Sequence, residues 1–152
     1  MNDQQNEFWI RFLRMNNLEE TIKPTSVFHF ELTEKLASEL LELVLGGKKR
    51  ATASSYSSYK IENKELPLVG DLSIVTDFYG KPKCVIKTTA VLIAPFNELT
   101  FDIVKREGED ENLESWQKGH IKFFSEEAKI LGYEFSRKML VVFEDFEVVY
   151  KE

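Results

Sequence analysis

A leucine-rich segment that ends at two glycines and is followed by three cations restricts the fold of this chain more than any other feature. Between residues 33 and 45, apolar side chains recur three and four positions apart, which predicts an amphipathic helix with one buried face. Thr33 is a suitable N-cap, and Gly46 and Gly47 end the helix because glycine adopts a left-handed conformation without steric cost. The segment 48–56 then leads away from the helix. We expect it to form the mouth of a binding or catalytic cleft.

The three adjacent cations exceed what the C-terminus of a helix requires. One cation there offsets the partial negative charge of the last carbonyl groups and contributes about 0.3–1 kcal/mol. Lys48, Lys49 and Arg50 follow one another directly. We therefore expect at least one of these three side chains to face a ligand.

The remaining periodicities predict a sheet with further helices around it. Two β-branched segments joined by a short turn that contains Gly80 and Pro82 favour an antiparallel pair of strands. Asn112 is a suitable N-cap for a long helix that Gly132 ends. The predicted elements are helices over 8–13, 33–45 and 113–131, one helical turn over 101–105, strands over 72–76, 84–93 and 139–150, and a surface loop between Tyr56 and Val69.

Length and composition restrict the class of protein. A chain of 152 residues with 43% hydrophobic residues is expected to form a single α+β domain over 1–152, with residues 1–30 as an N-terminal helical extension packed on it. The formal net charge of −6 means that only a local basic patch could hold nucleic acid. The single cysteine, Cys84, excludes an internal disulfide. Because the chain shows neither a signal peptide nor a membrane-spanning apolar run, a cytoplasmic location is expected.

Four segments of the chain resemble ASCH domains, in the order in which that family carries them. They are residues 47–54, 66–71, 106–116 with His120, Phe123 and Phe124, and 139–146. The resemblance covers roughly residues 34–150 and points to the longer bacterial branch of the family. It implies a PUA-like fold, which is a small mixed or antiparallel β-barrel flanked by helices, with a cleft at the lysine segment. It also implies a role linked to RNA, because some ASCH proteins cleave single-stranded RNA and a small relative is an amidohydrolase that acts on acetylated cytidine.

The resemblance also implies candidate catalytic residues. Aligned on the glycine–lysine segment, the catalytic lysine and threonine of the amidohydrolase match Lys49 and Thr52, and its glutamate matches Glu109. Two positions depart from the family pattern, because Arg50 stands where many members carry threonine and Ser54 stands where an arginine is usual. These departures affect the expected substrate and not the expected fold.

A hydrolase would use Thr52 as the nucleophile, Lys49 as its base and Glu109 as the acid or orienting group. A lysine with an ordinary pKa of about 10.4 acts as a base at neutral pH only if that pKa falls by about three. Burial and neighbouring cations lower the pKa of Lys49, whereas a close Glu109 carboxylate raises it. Residues three apart in a regular strand face opposite sides, so Lys49 and Thr52 meet only if the chain bends after Gly47.

A binding function would require no catalytic geometry and no lowered lysine pKa in the same segment. The three cations would contact phosphates, and Tyr56 or Trp116 would stack on a base of a short single-stranded RNA or a small nucleoside ligand. Trp116 and His120, one helical turn apart, are equally compatible with packing in the core. The residues predicted to contact the substrate are Lys48, Arg50, Ser54, Tyr56, Glu107, Trp116 and His120.

Two further alternatives remain open from the sequence. No metal or other cofactor is expected, unless a ribonuclease uses a divalent ion held by Glu107, Glu109 or Asp110. The chain could also be a regulatory module without chemistry, and Lys49 would then be exposed on a convex face. The orientation of Lys49 therefore separates the alternatives.

Overall fold

A computed structural model describes all 152 residues of the chain and confirms the predicted α+β fold. The helices are α1 (Asp3–Met15), α2 (Glu34–Leu45), α3 (Tyr56–Ile61), α4 (Phe101–Val104) and α5 (Leu113–Leu131). The strands are β1 (Ser26–Phe28), β2 (Ala51–Ser55), β3 (Leu72–Thr76), β4 (Pro82–Pro95) and β5 (Leu140–Lys151). Two 3-10 turns, Phe96–Glu98 and Lys105–Glu107, complete the regular structure. None of the helices is both long and apolar enough to cross a membrane.

The five strands form one mixed sheet in the order β1-β3-β4-β5-β2. β1 runs parallel to β3, and every other neighbouring pair is antiparallel. The sheet curves into a half-barrel, and it stays open because the edge strands β1 and β2 do not pair with each other. The register of β4 on β5 shifts between Val85 and Ile86 and again between Thr88 and Ala90. Such irregularities let long paired strands bend.

Three apolar clusters attach the long helices to this sheet. The α1 residues Phe8, Trp9, Phe12 and Leu13 pack against Ile74 of β3 and Val85 of β4. The α2 residues Leu41 and Val44 pack with Val75, Ile86 and Phe146. The α5 residues Trp116 and Phe124 pack with Val141 and Phe143 of β5. The segment that follows α2 and the turn that precedes α5 meet here, because Arg50 N donates to the Arg106 carbonyl and Phe146 N of β5 donates to the Arg50 carbonyl.

The predicted helix boundaries are confirmed at the ends of α2 and α5. The side chain of Thr33 accepts a hydrogen bond from Leu36 N at 3.4 Å, and that of Asn112 accepts one from Ser115 N at 2.8 Å. Gly47 and Gly132 have φ angles of +79° and +86°, in the left-handed region where glycine is unstrained.

The predicted surface loop between Tyr56 and Val69 is wrong for its first six residues, which form α3. Ser55 is the reason, because its hydroxyl oxygen accepts a hydrogen bond from Ser58 N at 3.2 Å and so caps a new helix directly at the end of β2. The same hydroxyl donates to Glu127 Oε1 on α5 at 2.6 Å. Ser55 thus fixes the start of α3 against the rest of the domain.

Candidate functional site

The backbone around Lys49 is fixed on both sides. Lys48 N and Lys49 N donate to the carbonyl of Leu43 at 2.9 and 3.0 Å, which closes the end of α2. Arg50 N donates to the carbonyl of Arg106 at 2.9 Å, so this segment lies against the turn that precedes α5. The Lys49 side chain points inward and is only 2% exposed.

The turn that faces Lys49 approaches it closely at Gly108. This glycine has a φ of +71°, and a Cβ atom added to it would lie 2.8 Å from the carbonyl carbon of Lys48. Any side chain at this position would therefore push the two segments apart. The close approach allows the residues on either side, Glu107 and Glu109, to reach Lys49.

Four charged side chains meet here and form the buried ionic cluster, which consists of Lys49, Glu107, Glu109 and His120. Lys49 Nζ lies 2.7 Å from Glu109 Oε2 and 3.4 Å from Glu107 Oε1. His120 Nε2 lies 3.0 Å from Glu107 Oε2. Glu107 also accepts hydrogen bonds from Ala53 N at 2.9 Å and from the indole nitrogen of Trp116. Glu107 is therefore the centre of the cluster, with both carboxylate oxygens occupied by donors of the protein.

The hydrogen bonds of His120 define its protonation state. Its Nδ1 lies 2.9 Å from the carbonyl oxygen of Trp116, and its Nε2 faces Glu107. Both partners are acceptors, so both ring nitrogens must carry a proton and the ring is an imidazolium. Burial lowers the pKa of His120, but Glu107, Glu109 and the Trp116 carbonyl together outweigh burial, so the net pKa is raised. The ring also stacks on Trp116, with the ring centroids 4.1 Å apart.

The charges of the other three members follow from the same contacts. Burial lowers the pKa of Lys49, yet Glu107 and Glu109 raise it above its ordinary value, so Lys49 is an ammonium. Burial raises the pKa of Glu107, yet Lys49 and His120 together lower it to about 2. Burial and the adjacent Glu107 raise the pKa of Glu109 in spite of Lys49. Glu109 is therefore the carboxylate of the cluster that accepts a proton most readily.

The buried ionic cluster opens on a small cavity of about 50 Å³, which we call the inner cavity. Lys49 and Thr52 both line it, because Lys49 precedes β2 and the alternation of a regular strand does not apply to it. The Lys49 ammonium lies 5.4 Å from the centre of the Phe30 ring. The wall consists of Phe30, Glu31, Leu40, Lys49, Thr52, Ala53, Glu107, Glu109, His120 and Phe123.

Comparison with known proteins identifies the family. The family model of the ASCH domain matches residues 26–150. The chain belongs to the ASCH domain family. It is similar to the crystal structure of an ASCH domain from Lactobacillus crispatus JV V101, with 35% identity and a TM-score of 0.87 over 99% of this chain and 96% of that one. The expected PUA-like fold is confirmed.

Two further solved structures resemble this ASCH domain. Protein EF3133 from Enterococcus faecalis V583 is 34% identical, with a TM-score of 0.88 over 95% of this chain and 88% of that one. Hypothetical protein PH0355 is 20% identical, with a TM-score of 0.52 over 82% of this chain and 97% of that one, and this similarity concerns the fold alone. No protein of curated function matches the sequence significantly.

The ASCH domain brings some of the predicted site residues together and separates others. Lys49, Thr52, Glu107, Glu109 and His120 all line the inner cavity. Lys48 and Arg50 are exposed and lie outside its wall. Lys49 itself is buried, whereas the alternative of a regulatory module without chemistry predicts that it is exposed on a convex face.

Three of the predicted substrate contacts have other partners within the protein. Trp116 is only 1% exposed and packs in the core, so it offers no face to a base and the stacking prediction is wrong for it. The Tyr56 ring lies on α3 with the Lys60 ammonium 5.5 Å from its centre. The Ser54 hydroxyl forms a hydrogen bond with the Tyr59 hydroxyl at 2.9 Å. None of the three lines the inner cavity.

The sequence did not identify Phe30 and Glu31 as parts of the site. They precede the N-cap of α2, and Glu31 has a φ of +62°, which turns the chain over the cavity. A positive φ at a non-glycine residue has no signal in a single sequence. Phe30 and Glu31 could be recognised only once α2 was placed on the sheet.

The donor set of the buried ionic cluster does not fit a divalent metal ion in its present protonation state. One ligand atom from each of Glu107, Glu109 and His120 lies within 4.8 Å of the others. However, the Lys49 ammonium already lies beside both carboxylates, and both nitrogens of His120 carry protons. The lysine thus supplies the positive charge that a metal would bring to these carboxylates.

Proposed function

We propose that this ASCH domain binds a single nucleoside unit, free or within single-stranded RNA, at the inner cavity. The observation that carries the proposal is that the buried ionic cluster opens on a cavity that Thr52 also lines. Burying charges is costly, and an apolar replacement is often as stable. A cluster of charged groups with shifted pKa values in a cleft is therefore better explained by a ligand than by stability.

The chemistry of the wall indicates the kind of ligand. Lys49 offers a donor, Glu109 offers an acceptor, and Phe30 and Phe123 offer apolar ring surface. This combination suits a flat polar ring with both donors and acceptors, such as a nucleobase. The volume of about 50 Å³ admits only one edge of such a ring, and the net charge of −6 opposes non-specific binding of duplex.

Binding of ribonucleosides and short single-stranded RNA, measured by calorimetry, tests the proposal. Wild type is expected to bind at least one ribonucleoside and to prefer single strand to duplex. Glu109→Gln keeps the shape of the side chain but weakens the pairing with Lys49, and we expect it to reduce affinity about tenfold. Lys48→Met is the control, because Lys48 is exposed and outside the cavity wall, and its affinity for nucleoside should be unchanged. Failure of wild type to bind any ribonucleoside or single strand contradicts the proposal.

A second candidate function, hydrolysis of an acyl group on the bound nucleoside, is favoured by the position of Thr52 in the same wall as Lys49 and Glu109. We assign Lys49 and Glu109 other roles than those expected from the sequence. Because the pKa of Lys49 is raised, its ammonium suits the stabilisation of negative charge on the carbonyl oxygen and not proton abstraction. Because the pKa of Glu109 is also raised, its carboxylate suits the role of base and acid.

In this hydrolysis, Thr52 Oγ1 would attack the amide carbon while Glu109 accepts the hydroxyl proton. Glu109 would then return that proton to the leaving amino group as the carbon–nitrogen bond breaks. Water would attack the resulting acyl ester of Thr52, again with Glu109 as base, and release the free acid and the original hydroxyl. Lys49 would face the carbonyl oxygen in both tetrahedral intermediates.

Release of acetate from N-acetylated nucleosides tests this second candidate. Thr52→Val removes the hydroxyl with little change in shape, and we expect it to reduce the rate at least about 100-fold, while Thr52→Ser retains activity. Binding of the unacetylated nucleoside should survive Thr52→Val. Equal rates for wild type and Thr52→Val would contradict the candidate. A separate assay of single-stranded RNA cleavage, with and without Mn²⁺, distinguishes a ribonuclease from the acyl hydrolase.

A further inference from the structure

The second half of strand β4 has a backbone edge without a partner, although β4 is the middle strand of the sheet. β3 pairs only with residues 82–87 of β4. The turn before β3 extends this pairing by one residue, because Thr88 N donates to the Asp71 carbonyl at 2.9 Å and Gly70 N donates to the Thr88 carbonyl at 2.8 Å. Residues 89–95 then have β5 on one side and no strand on the other. We call this segment the free edge.

The ladder between β4 and β5 determines which backbone groups lie along the free edge. Phe96 N donates to the Met139 carbonyl at 2.8 Å, and in an antiparallel ladder every second residue bonds to the same neighbour. Counting back from Phe96, Val91 and Ile93 therefore direct their N–H and carbonyl groups away from β5. No turn or loop of the protein forms a hydrogen bond with these four groups.

The side chains of the free edge are apolar and uncharged. Leu92 and Ile93 are 39% and 41% exposed. The chain carries no charged residue between Lys87 and Glu98, and the proline of the free edge, Pro95, stands at its end. Exposed edge strands of natural proteins commonly carry a lysine, an inward-pointing charge or a proline that prevents pairing with another chain. The free edge lacks these features along most of its length.

A second copy of the chain matches the free edge in length. The middle residue of 89–95 is Leu92, so two antiparallel copies related by a two-fold axis at Leu92 cover each other from end to end. This register sets Val91 opposite Ile93 of the second copy and pairs all four free backbone groups of each copy. Each strand ends opposite Thr89 of the other, directly before the residue at which the edge becomes occupied.

The charges also favour a second copy. The net charge of −6 opposes contact between two copies, so contact requires an uncharged surface such as the free edge. Lys87 and Glu98 are exposed and flank this surface. In the register about Leu92, Lys87 of one copy comes to the same end of the paired strands as Glu98 of the other. Opposite charges thus adjoin at both ends.

We infer that the chain forms a two-fold symmetric dimer in which the free edges of two copies pair as antiparallel strands about Leu92. The contact uses no residue of the inner cavity, so the dimer and the nucleoside site are independent of each other. One strand pair is small beside the roughly 1,600 Å² that stable complexes bury. We therefore expect a reversible dimer with a dissociation constant in the micromolar range.

Sedimentation velocity from about 1 µM to about 1 mM protein tests the dimer. Wild type is expected to pass from monomer to dimer across this range. Ile93→Lys places a charge within the paired strands and should weaken the dimer at least about 100-fold. Ile130→Lys is the matched control, because Ile130 is 69% exposed but lies on α5, and its dimer should equal that of wild type.

Disulfide crosslinking provides a second test that fixes the register. Leu92 faces itself across the two-fold axis as a non-hydrogen-bonded pair, whose Cα atoms lie about 4.5 Å apart and so suit a disulfide. Leu92→Cys should therefore form a covalent dimer on mild oxidation, whereas Ile130→Cys should not. The natural Cys84 is buried and does not interfere. Thermal unfolding of each variant shows whether its fold is intact.

Two results would overturn the inference. A chain that stays monomeric at about 1 mM contradicts it and leaves the free edge to a strand of another protein. A dimer that Ile93→Lys leaves intact, or that Leu92→Cys does not crosslink faster than Ile130→Cys, contradicts it as well, because the contact then lies elsewhere on the surface.

Discussion

At the scale of single residues, the environment of Lys49 determines its chemistry. An ammonium buried alone would lose its proton, but two carboxylates at 2.7 and 3.4 Å keep it charged. Glu107 and Glu109 also raise the pKa of His120 and so keep its ring protonated. The cluster thus contains two cations and two carboxylates, and the pKa of Glu109 is raised above its ordinary value.

His120 gives a prediction on the dependence of stability on pH. Its pKa in the folded protein is raised above the ordinary value of 6.5, so its stabilising contribution is present below about pH 6.5 and is lost as the pH rises through the raised pKa. The charges that face the ring are those of Glu107, Glu109 and, more distantly, Glu31. We expect the difference in free energy of unfolding between wild type and His120→Asn to decrease from about pH 6 to about pH 9. Urea denaturation across this range measures it, and a difference that does not change with pH would contradict a charged His120.

Part of this site could be predicted from the sequence. Lys49, Thr52 and Glu109 were predicted as one group on the basis of family resemblance, and they line one cavity. The central position of Glu107 could not be predicted, because its donors Ala53 and Trp116 lie 54 and 9 residues away in the sequence. Such a position depends on how β2 and α5 are placed relative to each other, which no local pattern records.

At the scale of elements, the site depends on two turns that touch. The end of α2 and the turn before α5 are joined by the hydrogen bond from Arg50 N to the Arg106 carbonyl. Gly108 makes the contact sterically possible. Positive charge is therefore carried by one turn and negative charge by the other, and their contact creates the ion pairs.

Substitution of Gly108 tests this arrangement. We expect Gly108→Ala to lower the free energy of unfolding by about 1–3 kcal/mol, because its Cβ would collide with the Lys48 carbonyl and its φ is positive. Ligand affinity should fall with it, since Glu107 and Glu109 would move away from Lys49. Gly119→Ala is the matched control, because Gly119 lies within α5 with nothing within 4 Å of an added Cβ. That variant should gain about 0.5–1 kcal/mol, and an equal loss in both variants would contradict the explanation.

Elements with strong local signals were predicted correctly. The caps Thr33 and Asn112 and the stop at Gly132 gave α2 and α5 nearly to the residue. α3 was missed because its first residues carry no apolar periodicity, and its cap, Ser55, also ends β2. A residue that serves two elements gives an ambiguous local signal.

At the scale of the whole molecule, the half-barrel acts as a frame for the helices and turns that surround the site. α2 and α5 pack on separate parts of the sheet, and their adjoining turns meet beside β2 and β5. The inner cavity lies at the Lys49 segment, which forms part of its wall. The mixed sheet and its helices were expected from the family resemblance, whereas the parallel pairing of the three-residue strand β1 needs contacts distant in sequence.

The most direct test of the account is an NMR measurement of the Lys49 side chain, with ¹⁵N-labelled lysine and the signal assigned by its absence from Lys49→Arg. The account predicts a protonated ammonium at neutral pH that is protected from solvent exchange and whose resonance shifts when a ribonucleoside is added. A neutral amine, or an ammonium signal that saturating nucleoside leaves unchanged, would contradict the claim that the buried ionic cluster is the ligand site.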